Sequence, residues 1–313
     1  MLFLVARCVG QLAVALVGIV TVAFFLMRAI PGDPALYMLG DFATTEALAT
    51  LRARLGLDLP VWQQYFVFLA GAAQGNLGVS VVTGQPALAE IWAAVPPSAA
   101  LAVAGMLVAV AAGVPLGIIA AVRQGSAVDV LVMLIALGGI SFPVFWVGLV
   151  AILTLSHALG LFPALGASSE PGFWTGLHHM ALPALVLGLS VAAYIARLTR
   201  SAMLEVLGQD HIRVARAMGV PERRIIWKLA LRNALIPVLA VIGVTFAWSL
   251  GNAILVEAVF SRPGLGSTIL KAILARDYQL VQAGVLVLAA SVVLLNTILD
   301  LVYGMIDPRL RQG

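Results

Sequence analysis

Lysine is nearly missing from this chain: only Lys228 and Lys271 occur in 313 residues, and neither follows a glycine. A GxxxxGK[ST] phosphate loop is therefore absent, together with the lysine and backbone nest that cradle a nucleotide's phosphates. The glycine-bearing RPGLGST at Arg262–Thr268 also lacks an adjoining lysine. Cysteine is equally scarce. Cys8 stands alone, so no intrachain disulfide forms and cysteine usage says nothing of the compartment. Charge is the third shortage. At 10% charged, 62% hydrophobic and a mean hydropathy of +1.07, the composition excludes a water-soluble globular surface and places the chain among integral membrane proteins. A net charge of +4 makes no case for nucleic acid, and the distribution of charge carries more information than its total. No span centre holds an evident ion pair or proton-relay carboxylate. Glu257 and Asp300 fall near span ends, where both are expected to reach interfacial water, which weighs against a proton-coupled carrier.

What is present is a series of long apolar runs. A membrane helix needs roughly 20 consecutive apolar residues to satisfy its backbone across about 30 Å of hydrocarbon. Six runs qualify, near 8–29, 98–121, 130–156, 181–199, 235–257 and 280–303. The first resembles a signal peptide's apolar region, but its length and the lack of a small-x-small site in RAIPGDPA favour a retained anchor. With the N-terminus inside, the cytoplasmic side holds twelve basic residues: Arg7, Arg123, Arg197, Arg200, Arg213, Arg216, Arg223, Arg224, Lys228, Arg232, Arg309 and Arg311. The opposite side keeps six, Arg28, Arg52, Arg54, Arg262, Lys271 and Arg276. The positive-inside rule therefore predicts six spans with both termini in the cytoplasm.

This topology predicts a single transmembrane domain over residues 1–313, with an outer loop region at 30–97 that caps the mouth. Within that loop, TTEALATLRARLGL reads as a helix capped by Thr44 or Thr45 and ended by Gly56. LPVWQQYFVFLAGAAQG reads as another, with Pro60 near its first turn. In the third span, Pro143 of GGISFPVFW removes a backbone bond and bends the helix near Ser141. The kink either fits neighbouring helices or shapes a translocation path. His178 and His179 adjoin without an evident third metal ligand, so no metal site is expected.

Against so few charges, HIRVARAMGVPERRIIWK between His211 and Lys228 is conspicuously basic. Residues Met203–Met218 support one amphipathic helix, with Leu204, Leu207, His211, Val214, Ala215 and Met218 on one side. Gly219 permits a turn, and Pro221 starts a second helix, making an elbow joined by GVP. Its arginines fit anionic lipid; its small residues fit the groove of a soluble protein.

The stretch RSAMLEVLGQDHIRVARAMGVPERRIIWKLALRNALIP at Arg200–Pro237 resembles the cytoplasmic loop of peptide-transporting ABC permeases. The resemblance runs through RAIPGDPA, LGLDLPVWQQYFVFL, GNLGVS, GVPLGIIAAVRQGSAVD, VEAVFSRPGLG, RDYQLVQ and DPRLR, in order along nearly the whole chain. It implies an all-α membrane protein with the type I importer permease fold, half of a translocation path in the bacterial cytoplasmic (inner) membrane. The implied partners are a homologous second permease, two ATPase subunits that bind ATP and Mg, and an extracellular or periplasmic binding protein that delivers peptide. No cofactor is implied in this chain, nor is it an enzyme. Glutathione and nickel complexes are alternative cargoes of similar permeases, and an ion-coupled secondary transporter or a membrane scaffold are rivals from other classes.

The resemblance also implies that the loop at 200–232 contains a coupling helix docking in an ATPase cleft, with Glu205, Asp210, His211, Arg213, Ala215, Arg216, Gly219 and Pro221 as the coupling residues. In the wider importer pattern a glutamate stands six residues before the glycine, where this chain has Arg213. At the outer side, Glu257, Phe260, Arg262, Pro263, Gly264 and Gly266 are gate candidates, FSRPGLG having the chemistry of a turn. Asp277 and Tyr278 are expected to cap the last span.

Overall fold

The computed structural model describes residues 2–29, 34–39, 44–54, 56–166 and 172–306. The segment Ile30–Asp33 of RAIPGDPA, the terminal DPRLR and the side chain of Asp300 lie outside what is described. Among the described residues the chain is helical, with one isolated antiparallel bridge, Val79 to Pro86. The helices are α1 (Leu2–Ala29), α2 (Pro34–Leu39), α3 (Thr45–Arg54), α4 (Val61–Ala73), α5 (Ala87–Val122), α6 (Ala127–Ser141), α7 (Val144–Ala151), α8 (Phe173–Leu207), α9 (Asp210–Ala217), α10 (Glu222–Arg224), α11 (Leu231–Val259), α12 (Leu265–Leu274) and α13 (Tyr278–Ile306). Two stretches of wider π-helical turns, Ile152–Ala158 and Ile225–Ala230, continue α7 and lead into α11.

Four continuous helical stretches are long and apolar enough to cross a membrane: Ala87–Val122, Phe173–Leu207, Glu222–Val259 and Tyr278–Ile298. The pair Ala127–Ser141 and Val144–Ala158, bent by 104°, makes a fifth if the two helices together are one span. The expected kink is thus a break. Phe142 (ψ 133°) and Pro143 (ψ 136°) are both extended, so one helix stops and another starts. The Ser141 hydroxyl donates back to Leu137 O at 2.8 Å. Two further span boundaries move outward. Helix α5 runs through Pro96 and Pro97, where the sequence reads as a boundary at residue 98, and α8 covers 35 residues rather than 181–199. Pro96 and Pro97 have no N–H to offer the carbonyls of Trp92 and Ala93, and the helix continues through both.

The chain forms two compact units, Met1–Pro96 with Gly264–Val302, and Pro97–Pro263 with Tyr303–Gly313. In the first, Leu77, Ala87, Ile91, Leu265, Ile269, Leu280 and Val281 form an apolar core. The local end signals hold there: Ala47 N donates to Thr44 Oγ1 at 3.2 Å, and Leu57 N to Arg52 O at 3.0 Å around Gly56 at φ +65°. Asp277 caps α13 as expected, accepting from Leu280 N at 3.1 Å, and is buried. Its other oxygen accepts from Ser80 Oγ at 2.5 Å and Val81 N at 3.0 Å, tying the turn after α4 to the start of the last span. Removing the carboxylate strands these buried donors. Asp277→Ala is expected to lower thermal stability in detergent by about 1–3 kcal/mol, and an unchanged melting curve would show the latch to be idle.

In the second unit, α8 is central, with more than half of its apolar window buried. Helix α5 meets it through Gly105, Gly113 and Gly117, so close that a methyl group on Gly113 would lie 2.7 Å from Ala192 O. Small residues at such contacts let two membrane helices approach backbone to backbone.

Candidate functional site

The basic loop begins where α8 ends. Gly208 closes α8, Gln209 is extended, and α9 starts afresh at Asp210. The single amphipathic helix expected over Met203–Met218 is therefore two helices, and the break resets the face that each residue occupies. Ile212, not His211 or Val214, is the buried anchor of α9. Val214 (57% exposed) and Met218 (77%) are turned outward beside Arg213 and Arg216.

Helix α9 ends in a Schellman turn: Val220 N donates to Ala215 O at 3.1 Å, and Gly219 N to Arg216 O at 3.0 Å. This geometry needs a left-handed residue at Gly219, whose φ is +78°. Pro221 is extended, and its carbonyl receives Arg224 N at 2.8 Å to start α10. The elbow predicted from GVP is thus present. It is braced by Arg216, whose Nη2 and Nε lie 2.6 Å and 3.1 Å from the Glu222 carboxylate. That hydrogen bond raises the Arg216 guanidinium above its ordinary value, burial opposing it. Arg213 meets Asp210 at 3.2 Å, with both side chains largely in solvent, so the pair adds little stability. Ala215 is half-buried, and Glu205 lies exposed on the last turns of α8. The structure thus gathers Asp210, His211, Arg213, Ala215, Arg216, Gly219 and Pro221 on one elbow and leaves Glu205 just before it.

Sequence reasoning missed a clamp above this elbow. Arg200, on α8, grips Asp129 with two hydrogen bonds, Nε to Oδ1 at 2.6 Å and Nη2 to Oδ2 at 2.7 Å. Asp129 sits in the first turn of α6, and Oδ2 also receives Gly125 N at 3.0 Å. The local signal, Ser126 capping through Asp129 N, is legible in QGSAVD. A partner 71 residues away is not. Because Asp129 is buried, losing its cation leaves the charge stranded, whereas replacing both partners removes the problem. Arg200→Met alone is expected to lower the yield of folded protein, and Asp129→Leu with Arg200→Met to recover it; equal losses from single and double variants would refute the coupling.

At the other end of α11, Glu257 corrects an expectation. It does not reach interfacial water but is buried, accepting from Ser98 Oγ at 2.5 Å. Phe260 is buried too, and its carbonyl receives Gly166 N at 2.8 Å. The chain then turns through Ser261 at φ +49°, with Arg262 N donating to Glu257 O at 2.9 Å and Arg262 Nη1 to His179 O at 3.3 Å. Burial lowers the Arg262 guanidinium from its ordinary value, and the Glu257 charge opposes that. Pro263 ends this unit. Gly264 opens α12, its carbonyl receiving the hydroxyls of Ser267 (3.0 Å) and Thr268 (2.8 Å), and Gly266 is buried within α12. The chain thus turns at Ser261 and not at the proline or glycines of FSRPGLG, and Gly264 precedes α12 in an extended conformation. His178 and His179 hydrogen-bond to Leu161 O and Thr175 O, and among the described residues no group of three or more His, Cys, Asp or Glu could hold a metal ion.

Two family models match the chain: the binding-protein-dependent transport system inner membrane component over residues 113–312, and the N-terminal part of such membrane components over residues 1–100. The di/tripeptide transport system permease protein DppB of Pseudomonas aeruginosa is 41% identical, covering 100% of this chain and 99% of the relative. The dipeptide transport system permease protein DppB of Escherichia coli is 40% identical over the same shares. The glutathione transport system permease protein GsiC of Escherichia coli is 38% identical over 99% and 98%.

Proposed function

The chain belongs to the family of binding-protein-dependent transport system inner membrane components, and from that premise we propose that it forms half of the translocation path of an ATP-driven di- and oligopeptide importer. It is a multi-pass protein of the inner membrane. Its relatives are named as permease proteins of transport systems; in this scheme two separate ATPase subunits use ATP with Mg. A binding protein delivers cargo at the outer side, and a homologous second permease completes the path. Six crossings with both termini inside follow if α1, 28 residues long, and the bent α6–α7 pair are each spans; the twelve-to-six division of basic residues supports that orientation.

The observation that carries the coupling role is the outward face of α9. Val214 and Met218 stand exposed among arginines on a short helix fixed at both ends, by Ile212 beneath and by the Gly219 turn. An ATPase cleft receives that face, with Arg213 free to meet acidic groups once it leaves Asp210. Arg216, tied to Glu222, holds the angle of the elbow. Movement of the cleft then tilts α8 and α11, which the elbow joins. Ser141 and Pro143 at the 104° break and the Glu257–Pro263 turn are the path-shaping and outer-gate residues of this scheme.

Cells lacking the chain should fail to accumulate a radiolabelled dipeptide, and a plasmid copy should restore uptake. Glutathione is the alternative cargo, favoured by the 38% identical glutathione permease. Loss of glutathione accumulation with dipeptide uptake intact would transfer the assignment to it.

A further inference from the structure

One side of α11 joins exposed polar and aromatic groups along the length of an apolar helix. Asn233, Pro237, Val244, Trp248, Gly251, Asn252 and Leu255 are exposed, and at 100° per residue they fall within one side of the helix. Exposure on α6 has a different character: Val130, Leu131, Leu134, Ile135 and Leu137 are all aliphatic, as lipid contact requires. On α11 the exposed side instead carries both asparagines of the helix and its one tryptophan, which is 74% exposed.

Lipid is a poor match for this side. Asn252 lies seven residues before the helix end at Val259, about 10 Å inside it, and Trp248 about 16 Å inside. Tryptophan favours the headgroup level over such depth. A carboxamide in hydrocarbon without a partner is unfavourable, and among the described residues neither the Asn233 nor the Asn252 side chain has a hydrogen-bonding partner. Pro237 adds a third polar group, since it has no N–H to offer Asn233 O.

Resting on the peptide-importer reading, we propose that Trp248 and Asn252 face the path and bind the main chain of the travelling peptide. A carboxamide donates and accepts at once, matching a peptide unit regardless of its side chains. The indole gives a flat apolar face with one N–H donor, and Gly251 leaves room beside it. Such contacts suit a carrier of varied short peptides, because they read the backbone.

The test uses the complete importer in proteoliposomes, with Cys8→Ser as background. Asn252→Cys is expected to react with a membrane-impermeant thiosulfonate, and saturating dipeptide with binding protein should slow that reaction several-fold. Leu137→Cys, on the aliphatic side of α6, should stay unreactive. Asn252→Leu should raise KM for dipeptide uptake roughly three- to tenfold, the loss of a hydrogen bond. If Asn252→Cys is as inert as Leu137→Cys, or crosslinks to the second permease without reacting, the path-facing assignment is overturned. If Asn252→Cys reacts but the parent importer moves no dipeptide, the assignment to the path stands and the peptide reading falls.

Discussion

Gly117→Ala destabilises the protein, although alanine is the better helix former by about 1 kcal/mol. An added methyl group would lie 2.5 Å from Ala196 O and 2.6 Å from Thr199 Cβ, so α5 and α8 must separate. The obstacle is a backbone carbonyl, which cannot swing aside as a side chain does. Overpacking of this kind costs about 1–3 kcal/mol, enough to reverse the propensity gain. Gly117→Leu is expected to yield no folded permease, read as loss of the monodisperse peak on size-exclusion chromatography in detergent. Gly138→Ala is the control, because nothing lies within 4 Å of the added carbon and stability should hold or rise. If Gly117→Ala is as stable as Gly138→Ala, the close contact does not exist in the folded protein.

The second large effect is on coupling, not folding. Gly219 has open space around it, so a side chain there meets only the backbone's objection to φ +78°. For valine that objection is about 1–3 kcal/mol, which lowers the ratio of formed to unformed elbow roughly five- to 150-fold. Gly219→Val should therefore depress ATP-driven uptake strongly while the ATPase subunits continue to hydrolyse. Gly219→Asn is the informative partner, since asparagine tolerates the left-handed region. Its uptake should fall far less than that of Gly219→Val. Equal losses in the two would mean that the space, not the turn, matters.

These two glycines also mark where the sequence was readable. Gly219 sits in a local pattern, Gly-Val-Pro after a short helix, and Gly56 with Thr44 bounds α3 in the same way. End signals act over a few residues, so they can be read without the fold. Gly117 gives no such clue, because its role is set by Ala196 and Thr199 on another helix. The clamp of Arg200 on Asp129 and the burial of Glu257 against Ser98 were hidden for that reason. Helix limits differ from the reading at two places: α5 continues through Pro96–Pro97, and one expected helix breaks at Gly208–Gln209. The elbow was legible as a shape, but which residue anchors it was not. Ile212 emerges only once the break fixes the phase of α9.

The central claim is that this chain moves peptide only as part of an assembly driven by other subunits. Its most direct test is dipeptide uptake into proteoliposomes holding the chain, its neighbouring permease, the ATPase subunits, the binding protein and ATP, each omitted in turn. Flux that requires every component is the predicted result; flux from this chain alone, driven by an ion gradient and indifferent to ATP, would contradict it.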